Sequence, residues 1–265
     1  MKKNNWVAAG VLALATFSQL ATAAVSVQEA ERLKGELTPL GAERAGNGKD
    51  IPPWRGGVSV ATLDYKKSGQ HHSNPYPKDK PLFVITAANV AKYKEFLTDG
   101  QLALFNTYPD TFKMPIYKTR RSAAAPEQIY ENTYKNAIRA ELNKNGEGIR
   151  YAYGGIPFPI AKTGLEAIWN HITRWRGVFF SRRSSEVAVQ KDGAFSLVTV
   201  QQEALFNFCN PETTIDELNN ILFYYLSFTK APARLAGGAV LVHETIDQVE
   251  ESRQAWGSNA GQRRV

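Results

Sequence analysis

The chain has 265 residues, a formal net charge of +7, 43% hydrophobic residues and 22% charged residues. That is enough apolar material for a packed core and excludes wholesale disorder. The basic excess is spread as pairs (Arg120-Arg121, Arg182-Arg183, Arg263-Arg264) with no nucleic-acid-binding motif beside it. It therefore speaks against nucleic acid and reads as solvated surface charge, with an anionic membrane surface or acidic ligand as the alternative.

The first residues form a secretory leader. Lys2-Lys3 supply a positive start, Trp6 to Leu20 is largely apolar, and Ala21-Thr22-Ala23 is a small-residue cleavage site. The leader is expected to span residues 1–23, with cleavage after Ala23 or, next, after Ala24. No later stretch is long and apolar enough to span a bilayer. Cys209 is the sole cysteine, so no internal disulfide forms and no lipid-attachment cysteine follows the leader. The expectation is a soluble periplasmic protein with one domain over residues 24–265.

Ser26 and Glu29 make a capping-box pattern for a short helix ending near Leu33. Leu37 to Gly57, rich in proline and glycine, predicts an irregular surface segment. Val58 to Leu63 predicts a strand, and Lys66 to Pro81 a loop. Thr86 is positioned to cap a helix running to Leu97, and Thr98 a second through Phe105. Phe112 to Tyr117 is a short extended piece. Pro126 to Leu142 has the longest helical pattern, closed by Asn145-Gly146. Gly154 to Ile160 holds two prolines and predicts an extended crossing. Thr163 caps a helix through Trp175, with Leu165, Ile168, Trp169 and Ile172 on its apolar side.

From Gly177 onward the periodicity becomes extended. Val178–Gln190 and Ala194–Leu205 flank Lys191-Asp192-Gly193, a hairpin signal. Ile221 to Phe228 and Ala239 to Asp247 follow. A charged connector, Gln248 to Arg253, leads to a last extended run through Trp256 that breaks at Gly257–Gly261 and resumes over Gln262–Val265. Helices first and a β-meander after predict an α+β fold with an antiparallel sheet. Ile221–Phe228 and Ala239–Val242 are apolar on both alternating sets, so both faces are expected to need cover, by protein or by a ligand in a cavity.

These residues also carry a resemblance. LTPLGAERAGNGKDIPPW, PLFVITAANVAKY, LFNTYPDTFKMPIY, YAYGGIPFPI with GLEAIWNHITRWRG, FYYLSFTKAPARLAGGAVLVHETIDQ, and RQAW with NAGQRRV lie in order across nearly the whole mature chain. Together they are similar to the proteobacterial envelope family called domain of unknown function 1329, which is annotated in places as outer-membrane lipoprotein sorting. The resemblance implies a fold like the LolA/LolB lipoprotein carriers: a strongly curved antiparallel sheet, an open half-barrel, packed on several helices around an apolar cavity. It implies service to an RND-type transporter and an outer-membrane protein. Members of the family usually carry an apolar or aromatic residue where Gly257-Ser258 stand and continue past QRRV, so the sheet is expected to be incomplete at its C-terminus.

The chemistry-bearing residues give weaker signals. His171, on a helix among apolar neighbours, reads as a structural histidine. His243 and Glu244 are strand neighbours and point to opposite faces, so they form no direct acid–base pair. His71-His72 lie in a polar loop without further ligands at metal-site spacing. Cys209 lacks a nucleophile signature and reads as a buried or half-buried thiol. No cofactor and no enzymatic activity are expected. The leading expectation is a carrier or accessory protein that binds a lipid, a lipoprotein acyl chain or another lipophile, with Ile221, Phe223, Tyr225, Leu241 and Val242 lining the cavity. The alternatives are an envelope hydrolase or metal-dependent enzyme using His171 or His243, and a ligand-free adaptor of an export complex.

Overall fold

The computed structural model describes residues 24–58, 65–67, 69–71, 73–259 and 261. The leader, the strand expected over Val58–Leu63, His72 and the terminal segment Gln262–Val265 fall wholly or largely outside the described residues. What is described is α+β, with the helices in the N-terminal part and a five-stranded antiparallel sheet in the C-terminal part.

Helix α1 (Val27–Ala30) starts at Ser26, whose hydroxyl accepts from the Glu29 backbone N–H at 3.1 Å, and runs into a 3-10 turn at Glu31–Lys34. Val25, Ala30, Leu33 and Leu37 pack on Ala137 of α3 (Glu127–Arg139). Leu37 to Gly57 is irregular, as expected, and is pinned by a residue that reads in sequence as surface charge. Arg121 donates to the carbonyls of Glu43 and Arg44, at 2.7 and 3.1 Å. Its neighbour Arg120 forms a two-point pair with Asp79, both contacts at 2.6 Å, which ties down the polar loop before Pro81.

The stretch after Pro81 differs from expectation. Strand β1 (Phe83–Ile85) pairs antiparallel with β2 (Met114–Ile116). The helix expected from Thr86 is a 3-10 helix, Val90–Phe96, that starts later, at Asn89. Asn89 Oδ1 accepts the Thr86 N–H at 2.8 Å, so residues 86–89 close a turn instead of a first helical turn. Helix α2 (Asp99–Thr107) begins at Thr98 with a complete capping box to Gln101.

Helix α3 stops at Arg139, earlier than its apolar pattern. Glu141–Leu142 (β3) instead pairs with Ile149–Arg150 (β4), and Asn145-Gly146 belong to the turn between them. The crossing that follows is a run of bends outside any strand; Gly154 N–H donates to the Phe208 carbonyl at 2.9 Å, and other backbone groups need side-chain partners. Two asparagines supply them. Asn136, fully buried on α3, donates to Tyr153 O at 3.0 Å and accepts from Tyr153 N at 3.1 Å. Asn170, on α4 (Gly164–Ile172), accepts from Phe158 N at 2.8 Å and donates to Phe158 O at 2.6 Å. Gly155 permits this approach: a Cβ there would stand 2.7 Å from the Thr133 backbone nitrogen and 2.8 Å from the Ile129 carbonyl.

Helix α4 carries a Thr163/Glu166 capping box and ends at Ile172, three residues before Trp175. Thr173 hydroxyl donates back to Trp169 O at 2.7 Å, and Trp175, beyond the helix, packs partly against the core. The inward side of α4 is Glu166, Trp169 and, partly, Asn170 and Ile172; of the expected apolar residues Trp169 and Ile172 pack on the core, while Leu165 and Ile168 are exposed.

The sheet is a meander in sequence order: β5 (Phe179–Val189), β6 (Phe195–Leu205), β7 (Ile221–Ala231), β8 (Ala239–Thr245) and β9 (Gln254–Ser258). The Lys191-Asp192-Gly193 turn joins β5 to β6 as the sequence predicts. Asp192 Oδ1 accepts from Ala194 N at 3.0 Å, and Gly193 takes φ of 85°, a left-handed value that favours glycine. At the start of β7 the register slips. Ile221 opposes Thr245 while Phe223 opposes Glu244, so Leu222 is an extra residue, a bulge. The bulge buries Ile221 and Leu222 together. Leu222, Ala204, Phe206, Phe208 and Ile246 then pack with Trp169, Phe158 and Ile149 in the main core. Phe208 alone, 1% exposed, contributes roughly 1.5–3 kcal/mol of burial.

Candidate functional site

The register sorts the sheet into two faces, because directly opposed residues share a face and strand neighbours do not. Phe180, Ala204, Tyr225 and Val242 lie in one row, and Phe206 and Phe223 stand on the same side. This side carries the main core and meets α4. The other face holds Phe179, Tyr224, Leu226, Leu241 and Trp256.

The residues expected to line one cavity are therefore divided. Phe223, Tyr225 and Val242 share the helix-side face and are half-buried. Leu241 opposes Leu226 on the outer face, and Ile221 is buried before the bulge. Adjacent strand residues cannot both line one face, which separates Leu241 from Val242.

Neither face is fully covered by the described residues. The helices cover only the end of the sheet near Phe206 and Phe223. On the outer face Leu241, Trp256 and Phe179 are all exposed, and the apolar pairs Val187–Leu197 and Val189–Phe195 continue it along the protruding hairpin, with Val189 71% exposed. Trp256 lies in β9 as predicted. It packs on the sheet rather than in the core: its ring is 4.9 Å from that of His243, which is 4.9 Å from that of Tyr224.

A hollow of about 400 Å³ opens where α4 meets the helix-side face. Its apolar wall is Trp169, Ile172, Leu222 and Phe223; its polar rim includes His171, Arg174, Arg176, Glu244 and Arg253. Local structure sets the rim. Thr173 ends α4 in a turn, with φ of −89° and ψ of 4°, and is buried; Trp175 then packs partly against the core while Arg174 and Arg176 line the hollow. Glu244 is buried and accepts from Arg253 Nε at 2.7 Å and from Gln248 Nε2 at 3.0 Å. Arg176 lies over the Phe206 ring, 4.4 Å from its centre. Burial pulls the Arg176 pKa down, and the like charge of Arg174 adds to this.

His171 is exposed on α4, its Nε2 3.1 Å from Arg174 Nη1, and lines this hollow. His243 is on the opposite face of the sheet. The two histidines form no common constellation. Among the described residues no three His, Cys, Asp or Glu side chains cluster in a way that would hold a metal ion. Cys209 is buried in the main core, and burial pushes its thiol up to about 12.

A second hollow, about 670 Å³, lies beside β1 and β2, between Phe83, Tyr93, Phe96, Met114 and Tyr117. Sequence reasoning missed it because it depends on the β1–β2 pairing. The arginine rim was missed too, although Arg174-Trp175-Arg176 just past a helix is a readable signal.

No helix among the described residues is long and apolar enough to cross a membrane. No solved structure matches the chain at a significant level. The chain is 46% identical over 257 residues to the uncharacterized protein PA3922 of Pseudomonas aeruginosa; the match covers 97% of this chain and 56% of that relative. This chain thus spans little more than half the length of the curated relative it matches. The family described as "Protein of unknown function (DUF1329)" matches residues 84–265, and the chain belongs to that family.

Proposed function

We propose that this protein is a non-enzymatic periplasmic carrier or accessory protein that holds a lipid, a lipoprotein acyl chain or another lipophile against its sheet, in the service of an RND-type or outer-membrane export system. The observation that carries this reading is the hollow under α4. Its floor at Phe223 runs on to the half-buried Tyr225 and Val242 of the same face. A concave apolar wall with a few polar groups at its rim is the usual form of a ligand site. A more strongly curved, half-barrel sheet like that of the lipoprotein carriers would deepen the hollow and belongs to the same proposal. The exposed apolar outer face favours a second reading, an adaptor that docks onto another protein of the complex.

The test is binding of 1-N-phenylnaphthylamine, a neutral fluorescent lipophile, to wild type, Phe223→Asp and Phe96→Asp, with circular dichroism to verify folding. A buried charge is itself destabilising, so only folded variants count. Loss of binding in folded Phe223→Asp supports the carrier reading at the α4 hollow. Loss in Phe96→Asp alone moves the ligand to the hollow beside β1. No binding by wild type overturns the carrier reading and leaves the adaptor ahead.

A further inference from the structure

The rim of the α4 hollow carries more positive charge than its own acids balance. Glu244 is the carboxylate among the residues lining it, and its two oxygens are engaged by Arg253 and Gln248. Arg174 and Arg176 form no ion pair among the described residues. Arg174 donates to the His171 carbonyl at 2.6 Å and Arg176 to the Ile172 carbonyl at 3.2 Å, which leaves most of their five N–H donors each without a protein acceptor. Two like charges beside an aromatic wall repel each other, and an anion between them would relieve that repulsion. Guanidinium groups match carboxylate and phosphate oxygens in two-point geometry.

We infer that the lipophile is an anionic amphiphile, whose carboxylate or phosphate head is held by Arg174 and Arg176 while its chain lies along Phe223, Tyr225 and Val242. The inference rests on the lipophile reading above and narrows it to one ligand class. An acid and its neutral ester have the same chain, so the two guanidiniums alone should separate them. A carboxylate forms a two-point ion pair at this rim, whereas the uncharged ester can only accept a weaker hydrogen bond through its carbonyl oxygen.

The experiment measures binding of cis-parinaric acid and of its methyl ester to the folded mature protein. The acid should bind at least about tenfold more tightly, equivalent to about 1.4 kcal/mol. The double variant Arg174→Gln, Arg176→Gln should lose that preference, its affinity for the acid falling far more than its affinity for the ester. If the double variant does not fold, Arg174→Gln, whose side chain does not stack on Phe206, should still lose a substantial part of the preference. Competition by lysophosphatidic acid against palmitate distinguishes a phosphate head from a carboxylate head, and either outcome supports the inference. Equal binding of acid and ester, or a preference that survives in the arginine variants, overturns it while the carrier reading stands. Displacement by inorganic phosphate as effective as by lysophosphatidic acid also overturns it, since the chain then plays no part. Failure of both probes to bind overturns the carrier reading itself.

Discussion

Arg253 Nε donates to Glu244 at 2.7 Å across the junction of β8 and β9, and this contact closes the polar side of the α4 hollow. Glu244 is buried, whereas Arg253 is largely exposed. Removing the arginine leaves a buried carboxylate with Gln248 as its remaining side-chain partner. Arg253→Gln is expected to destabilise the protein by about 1–2 kcal/mol, in the range for hydrogen bonds to charged groups and reduced by solvent at the arginine. Urea denaturation of the two proteins measures it. A difference below about 0.3 kcal/mol would show the pair to be incidental.

Asp247 ties the end of β8 to the β3–β4 hairpin. Burial alone would raise its pKa. The hydrogen bond from Asn143 at 3.0 Å, those from the Glu250 and Val249 N–H groups, and the charge of Arg150 outweigh burial and hold the carboxyl below its usual range. A depressed folded pKa contributes stability that is present above the unfolded value, about 3.9, and is lost as pH falls through the folded value. Asp247→Asn should therefore be less stable than wild type at pH 7, and the gap should narrow below pH 4. Denaturant midpoints at pH 7 and pH 3 test this; a gap that stays constant would remove the carboxylate from the account.

Asn136 is the clamp on the Tyr153 to Gly155 crossing. Its replacement by leucine, similar in volume, leaves the Tyr153 N–H and carbonyl without their partners inside the fold. The expected loss is about 2–4 kcal/mol. Asn136→Asp keeps the acceptor for the Tyr153 N–H but turns the donor facing the Tyr153, Gly155 and Ile156 carbonyls into a second acceptor on a fully buried side chain, so it should lose at least as much. Thermal melts of the three proteins should place wild type above both variants.

Cys209 sits behind Thr173 with its thiol pushed up to about 12, and only the thiolate is reactive. The folded protein should not react with a thiol-specific disulfide reagent at pH 8 over an hour, and should titrate one thiol in denaturant. Rapid labelling of the native protein would mean that this core opens readily.

Local features were legible because their causes are local. Thr98 with Gln101 and Thr163 with Glu166 announce helix starts, since a hydroxyl and a side chain three residues on satisfy the same first turn wherever it sits. Asp192-Gly193 announces a hairpin because glycine accepts the left-handed turn. The antiparallel meander follows from periodicity in the same way. Other features depend on residues distant in sequence. The pairing of β1 with β2, the hold of Asn136 and Asn170 on the crossing, and the pinning of Leu37 to Gly57 by Arg121 join segments that no local pattern relates. The site lay between these extremes. Alternation separates Leu241 from Val242 once β7 and β8 are strands, but the bulge at Leu222 sets which β8 residue meets Phe223. Helix α4 then decides which face becomes a hollow. Side-chain direction is set by backbone period, whereas the choice of covered face is set by packing between elements, and packing is settled only in the folded chain.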